Sequence, residues 1–186
     1  MHAGWQDAFL RYLTDVRQLS PRTAEAYAQD VNQFVDFLAG RWGDERAYDW
    51  AGVDYRIIRA FLADLSRQHY AKSSIARKLA ALRALFRFLL QEGAVTANPA
   101  KLAPTPKQDE RLPEYLYVDE MEVLLSTPDE ATALGQRDRA ILELLYATGV
   151  RVSELVAMDV SEINFEERSI RVIGKGNRER VVLMGE

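Results

Sequence analysis

The chain has 186 residues, 48% hydrophobic and 28% charged, an ordinary mix for a globular protein of one large or two small domains. No cysteine and only two histidines, His2 and His69, exclude disulfides and thiolate metal sites and leave nothing for a histidine-rich zinc site. No apolar run approaches the ~18–20 residues of a membrane helix and no signal-peptide pattern opens the chain, which fits a cytoplasmic protein. The net charge of −4 divides unevenly: residues 1–107 carry 15 Lys+Arg against 11 Asp+Glu, and residues 108–186 carry 9 against 17, so a polyanion-binding surface is to be sought in the first half.

Four helical patterns fill that half. The first covers residues 5–18, with Phe9, Leu10, Leu13 and Val16 at helical spacing. The second starts at Ser20-Pro21, an N-cap serine with proline at the first helical position, carries Tyr27, Val31, Phe34, Val35 and Leu38, and should stop at Gly40. The third follows Asp54, with Ile58, Phe61, Leu62 and Leu65 on one face. The fourth starts near Ser73-Ser74, ends at Gly93, and should bury Ile75, Leu79, Leu82, Phe86, Leu89 and Leu90. Four amphipathic helices with short loops predict a small bundle-like domain.

Pro99, Pro104, Pro106 and Pro113 then interrupt all periodicity, and the stretch reads as an extended linker. The expected organisation is a helical domain over 1–97, a linker over 98–114 and a second domain over 115–186. In the last, Asp119 should cap a short helix to Leu125. A longer helix should cover 135–147, burying Ile141, Leu144 and Leu145, with Gly149 ending it before a further helix over 152–158. Residues 169–173 and 179–183 alternate polar with apolar around Gly174-Lys175-Gly176-Asn177, the pattern of a β-hairpin. The fold class is therefore mainly α with a small β-hairpin.

Residues 66–91 contain no acidic side chain but hold Arg67, Lys72, Arg77, Lys78, Arg83 and Arg87. At 100° per residue, Ser73, Arg77, Ala80, Ala84, Arg87 and Gln91 share one face. Two guanidiniums among alanines suit a helix that approaches DNA closely, and the helix start with Ser73 and Ser74 suits a phosphate. The same residues also make an ordinary solvated basic face, and alanine is simply a good helix former.

Two further features invite chemistry. Arg151 follows a helix-breaking glycine and opens the next helix, beside that helix's positive end, a placement that folding alone does not favour. It makes sense if an anion binds there with Glu154 orienting the guanidinium, or if Arg151 merely pairs with Glu154 on the surface. Lys175 occupies a glycine-flanked hairpin tip, which either delivers an ammonium to a ligand or is a plain polar turn. Gly174-Lys175-Gly176 is neither a P-loop nor a dinucleotide fingerprint: no Ser/Thr follows the lysine, no helix follows the loop, and a third glycine is missing.

Ala147-Thr148-Gly149-Val150-Arg151-Val152-Ser153-Glu154-Leu155 and Ile173-Gly174-Lys175-Gly176-Asn177, in that order, resemble the tyrosine site-specific recombinases of the phage-integrase family, the Xer group in particular. Ser20-Pro21-Arg22-Thr23 with Tyr27 resembles the family's second arm helix. Ser73-Ser74-Ile75-Ala76-Arg77-Lys78-Leu79 with Asn98-Pro99 resembles its last arm helix and linker. The resemblance implies a SAM-like DNA-binding domain joined to part of a catalytic domain, closing as a clamp on double-stranded DNA. It implies strand cleavage through a 3′-phosphotyrosyl link without metal, nucleotide or other cofactor, and four protomers, homo- or hetero-tetrameric, working through a Holliday junction, as in chromosome dimer resolution. Arg151 would contact the non-bridging phosphate oxygens, Glu154 would support it, and Lys175 would be the general acid. Thr23, Lys72, Ser73, Ser74, Arg77, Arg83 and Arg87 are the expected DNA contacts.

The family's His-x-x-Arg motif and nucleophilic tyrosine have no counterpart here. No histidine follows His69, and Tyr115, Tyr117 and Tyr146 stand in other contexts. The expectation is a truncated recombinase that binds DNA without cleaving it and exposes apolar surface that the missing helices would cover. Two other readings remain: a short non-catalytic DNA-binding or regulatory protein, and a helical protein-interaction module whose basic face is solvation.

Overall fold

A computed structural model describes residues 3–44, 48–107, 114–174 and 178–185. The chain divides into two compact units, residues 1–111 and 112–186. The first holds α1 (Ala3–Arg11), α2 (Pro21–Trp42), α3 (Tyr55–Arg67) and α4 (Lys72–Gln91). The second holds α5 (Val118–Ser126), α6 (Ala133–Thr148), α7 (Val152–Ala157) and the strands β1 (Ile163–Asn164), β2 (Ser169–Gly174) and β3 (Arg178–Leu183). Mainly helical with a small sheet is the fold class the periodicities predict.

In the first unit the helix starts follow the local chemistry. Ser20 Oγ accepts from the Thr23 N–H, and Asp54 Oδ1 from the Ile57 N–H, each satisfying an orphan donor of the first turn. α1 continues through one π-helical turn, Tyr12–Val16. α2 does not stop at Gly40; it runs to Trp42, and Gly43 at φ +84° provides the exit that only glycine adopts without strain. α4 lies at the centre: Phe9 and Leu13, Val31, Phe34 and Leu38, Ile58, Phe61 and Leu65 surround its Leu79, Leu82, Leu85 and Phe86. So central a helix is buried on most sides, and Ala84, expected on the solvent face, is in the core, while Leu90, expected inside, is 44% exposed.

The proline-rich stretch is not an extended linker at its start. Asn98 Oδ1 accepts from the N–H groups of Ala100 and Lys101, capping a 3₁₀ turn over Pro99–Leu102. Ala100 and Ala103 are buried in the first unit's core. The turn is pinned by Arg83: Nε donates to Ala100 O, Nη2 to Ala103 O and Nη1 to Thr105 Oγ1.

In the second unit Tyr117, not Asp119, caps α5, its N–H donating to Glu120 Oε2 at 2.8 Å. Thr132 caps α6, and Gly149, left-handed at φ +61°, closes it. β2 pairs antiparallel with both β1 and β3, so the expected hairpin is the larger part of a three-stranded sheet. Val172 faces Arg180 and Gly174 faces Arg178 across the hairpin. The core is thin: only Val150, Ile170 and Val172 are fully buried apolar side chains among the described residues, with Leu144, Leu145, Leu155 and Met158 half-covered around them. Ile141, Leu144 and Leu145, expected to be buried, are only partly so. Val123, Leu134, Tyr146, Val156, Val181 and Leu183 are exposed.

Candidate catalytic and nucleic-acid sites

In the second unit the site is built on one carboxylate. Glu154 lies in the first turn of α7, and its side chain is 4% exposed. Its Oε2 accepts the backbone N–H of Arg151, the residue that caps the helix, at 2.8 Å, and its Oε1 accepts Arg151 Nη1 at 2.8 Å. A carboxylate at this point satisfies the orphan N–H and favours the helix start, offsetting the cost of the arginine beside it. From β3, Arg180 adds a two-pronged contact, Nη1 to Oε1 and Nη2 to Oε2, each 2.8 Å. Such fork-to-carboxylate pairs are among the strongest side-chain hydrogen bonds. The Arg180 pair, followed by the Arg151 N–H, holds the Glu154 carboxyl far below its ordinary range despite burial, and Glu154 in turn raises Arg180.

The end of β2 packs close to this cluster at Gly174. A Cβ there would lie 3.1 Å from Arg180 Nη1 and 3.3 Å from Glu154 Oε1. Lys175 follows Gly174 directly in sequence but lies, with Gly176 and Asn177, outside the described residues. Arg151 keeps 66% of its side chain exposed. Of the expected catalytic set, Arg151 and Glu154 are therefore together, and Arg180 joins them. The sequence offered a weak signal for Arg180: it is a charged residue, the third of β3, cross-strand from the buried Val172.

In the first unit the expected DNA contacts differ in how they are held. Thr23 is tied to Ser20, Oγ to Oγ1 at 2.8 Å, at the start of α2. Lys72, Ser73 and Ser74 form the first turn of α4, whose N-cap is Ala71 and where no side chain caps the helix. Arg77 reaches from α4 to α2, donating to the Asp30 carboxylate and to Ala26 O, one turn beyond Thr23, with 45% of its side chain exposed. Arg87 is exposed and makes no hydrogen bond or ion pair among the described residues. Arg83 is turned inward onto the 100–105 segment, so it is a structural clamp rather than part of a solvent face.

Asp30 was not foreseen. It is 1% exposed and accepts both Arg77 and the buried Lys78, whose Nζ is 2.8 Å from Oδ1. Lys78 also stands over the Tyr70 ring, and the Tyr70 hydroxyl accepts from Gln33 Nε2. The signal was available: Asp30 falls within the stripe Tyr27, Val31, Phe34, and Lys78 within Ile75, Leu79, Leu82, one charge of each sign on two buried faces.

The fold is shared with solved integrases. In fold the chain is similar to the λ integrase dimer bound to a COC′ core site, with a TM-score of 0.72 and 20% identity over 98% of this chain and 59% of that one. It is also similar to the Tn1549 transposon integrase in complex with circular intermediate DNA, with a TM-score of 0.69 and 17% identity over 97% and 61%. Residues 7–93 match the phage integrase N-terminal SAM-like domain, and residues 114–186 match the phage integrase family. The tyrosine recombinase XerC of Pelobacter propionicus is 46% identical over 178 residues, which cover 96% of this chain and 58% of the relative. That of Pelotomaculum thermopropionicum is 43% identical over 180 residues, 96% and 59%. The chain belongs to the phage integrase family of tyrosine recombinases. It spans somewhat more than half the length of these curated relatives.

Proposed function

We propose that these residues form the duplex-holding unit and the first part of the catalytic site of a site-specific recombinase that breaks and rejoins DNA through a 3′-phosphotyrosyl intermediate. The observation that carries this is the Arg151–Glu154–Arg180 cluster, with an exposed guanidinium beside the end of β2, in a chain 46% identical to a tyrosine recombinase XerC. Arg151 and Lys175 supply fixed positive charge, and a proton donor, where a scissile phosphate gains negative charge. Thr23, Lys72, Ser73, Ser74, Arg77 and Arg87 hold the backbone of the duplex through residues 1–107, while Arg83 holds its own chain. No metal or nucleotide takes part.

The λ integrase tetramer bound to a Holliday junction, 20% identical with a TM-score of 0.70, motivates a tetrameric assembly on DNA. The relatives' name, tyrosine recombinase XerC, motivates a place in the Xer group, and the role we propose there is chromosome dimer resolution in the cytoplasm. None of Tyr115, Tyr117 and Tyr146 serves as the nucleophile. The 186-residue chain therefore binds a recombination-site duplex, with an affinity that falls steeply between 50 and 200 mM salt, on the order of tenfold or more. It traps no covalent adduct on a nicked suicide substrate. A denaturation-resistant protein–DNA adduct, or affinity indifferent to salt, overturns this reading.

A further inference from the structure

We infer that Arg180 is a positioning residue that takes up the charge of Glu154 and so leaves the Arg151 guanidinium free for a DNA phosphate, an inference that rests on the function proposed above. The hydrogen-bond count at Glu154 leads to it. A carboxylate offers about four lone-pair sites. Glu154 fills them with Arg180 Nη1 and Nη2, the Arg151 N–H and one Arg151 Nη1–H. Arg180 takes both oxygens end-on, through Nη1 and Nη2, and brings one full positive charge, whereas Arg151 lends its side chain at a single nitrogen and stays mostly exposed. Two arginines on one buried carboxylate leave the site with a formal charge of +1, and the larger accessible share of it is on Arg151, 66% exposed against 39% for Arg180.

Remove Arg180 and the arithmetic changes. Glu154 and Arg151 become a neutral pair. Arg151 is then free to turn its own fork onto both oxygens, and a phosphate has to compete with a carboxylate already in place. A Cβ at Gly174 would lie 3.1 Å from Arg180 Nη1, so the same side chain that balances Glu154 also packs against the end of β2.

The test uses the whole chain and a fluorescein-labelled recombination-site duplex, with affinity read by anisotropy as a function of salt. Removing one protein–phosphate ion pair lowers the slope of log K against log salt by about 0.9. Arg151→Ala and Arg180→Met should each lower it by about that amount, and the two together by no more than either alone. Glu154→Gln in the Arg180→Met background should restore the wild-type slope, because it releases Arg151 again. If Arg180 contacts DNA itself, or only holds the hairpin to α7, that rescue fails and the inference is overturned. It is equally overturned by an Arg180→Met chain with the wild-type slope. Ile170 and Val172 methyl resonances report whether the second unit stays folded. Should Arg180→Met lose them, the Glu154→Gln/Arg180→Met chain decides alone, wild-type slope supporting and a slope lower by about 0.9 refuting. A wild-type chain without salt-dependent binding sinks the DNA reading and this inference together, whereas binding without rescue sinks only this one.

Discussion

Replacing Asp30 by asparagine probes whether the first unit is organised around a buried charge. Asp30 is 1% and Lys78 6% exposed, with Nζ 2.8 Å from Oδ1. The amide keeps the shape and one acceptor oxygen but leaves the Lys78 ammonium buried without a counter-charge, its remaining support the Tyr70 ring at 5.3 Å. Removing one partner of a buried pair costs about 3–5 kcal/mol. The surviving acceptor puts Asp30→Asn at the low end, about 3 kcal/mol, and Arg77, nearly half exposed, adds little because water replaces its contact. For a unit of roughly 100 residues that is a fall in Tm of about 12–24 °C. Lys78→Met is expected to cost only about 1 kcal/mol, since Asp30 keeps Arg77 and the methionine fills the lysine stem's volume. Calorimetry of the chain, following the transition of residues 1–111, reads both. An Asp30→Asn chain melting within about 3 °C of wild type, or below which Lys78→Met melts lower still, refutes the reasoning.

Two further outcomes follow from the same geometry. Arg83→Met removes three donors at once, so amide exchange at Ala100 to Thr105 should quicken and the 104–107 segment should become the first site of proteolytic cutting; an unchanged exchange pattern argues against the clamp. Glu154 has a folded pKa below its ordinary 4.5, so its contribution is full above that value and drains away as pH falls below it. The urea midpoint of the second unit should therefore drop more steeply between about pH 5 and 3 in wild type than in Glu154→Gln. Parallel curves would remove the carboxylate from the account.

The helices of the first unit were legible because each carries its own signals. Ser20-Pro21 and Asp54 are caps that act locally, and the apolar stripes report a core face whatever the partner is. What misled was position within the fold. Leu90 continues the apolar stripe of α4 but lies one turn beyond the exposed Arg87, on the open side of the helix whose other side buries Leu89, and Ala84 joins the core because α4 is enclosed on most sides. Gly40 failed as a stop for the opposite reason: glycine ends a helix only where the backbone turns left-handed, and that happens at Gly43. The proline stretch misled similarly, since Asn98 capping and the Arg83 clamp are long-range contacts that composition does not encode.

At the candidate site, residue types were readable and charge balance was not. Arg151 and Glu154 are three residues apart, so a helix start alone brings them together, and a sequence reading reaches that pair. Arg180 is 26 residues away, and its role depends on the hairpin register that sets it opposite Val172 and on the missing side chain of Gly174. Taken as a pair, Arg151 and Glu154 cancel, and the surface reading of an ordinary ion pair would win. Taken as a triad they do not cancel, and an exposed guanidinium is left over. The proposed reading of Arg151 as an anion site rather than a structural ion pair thus rests on one contact from a strand that local sequence pattern could place in a hairpin but not against α7.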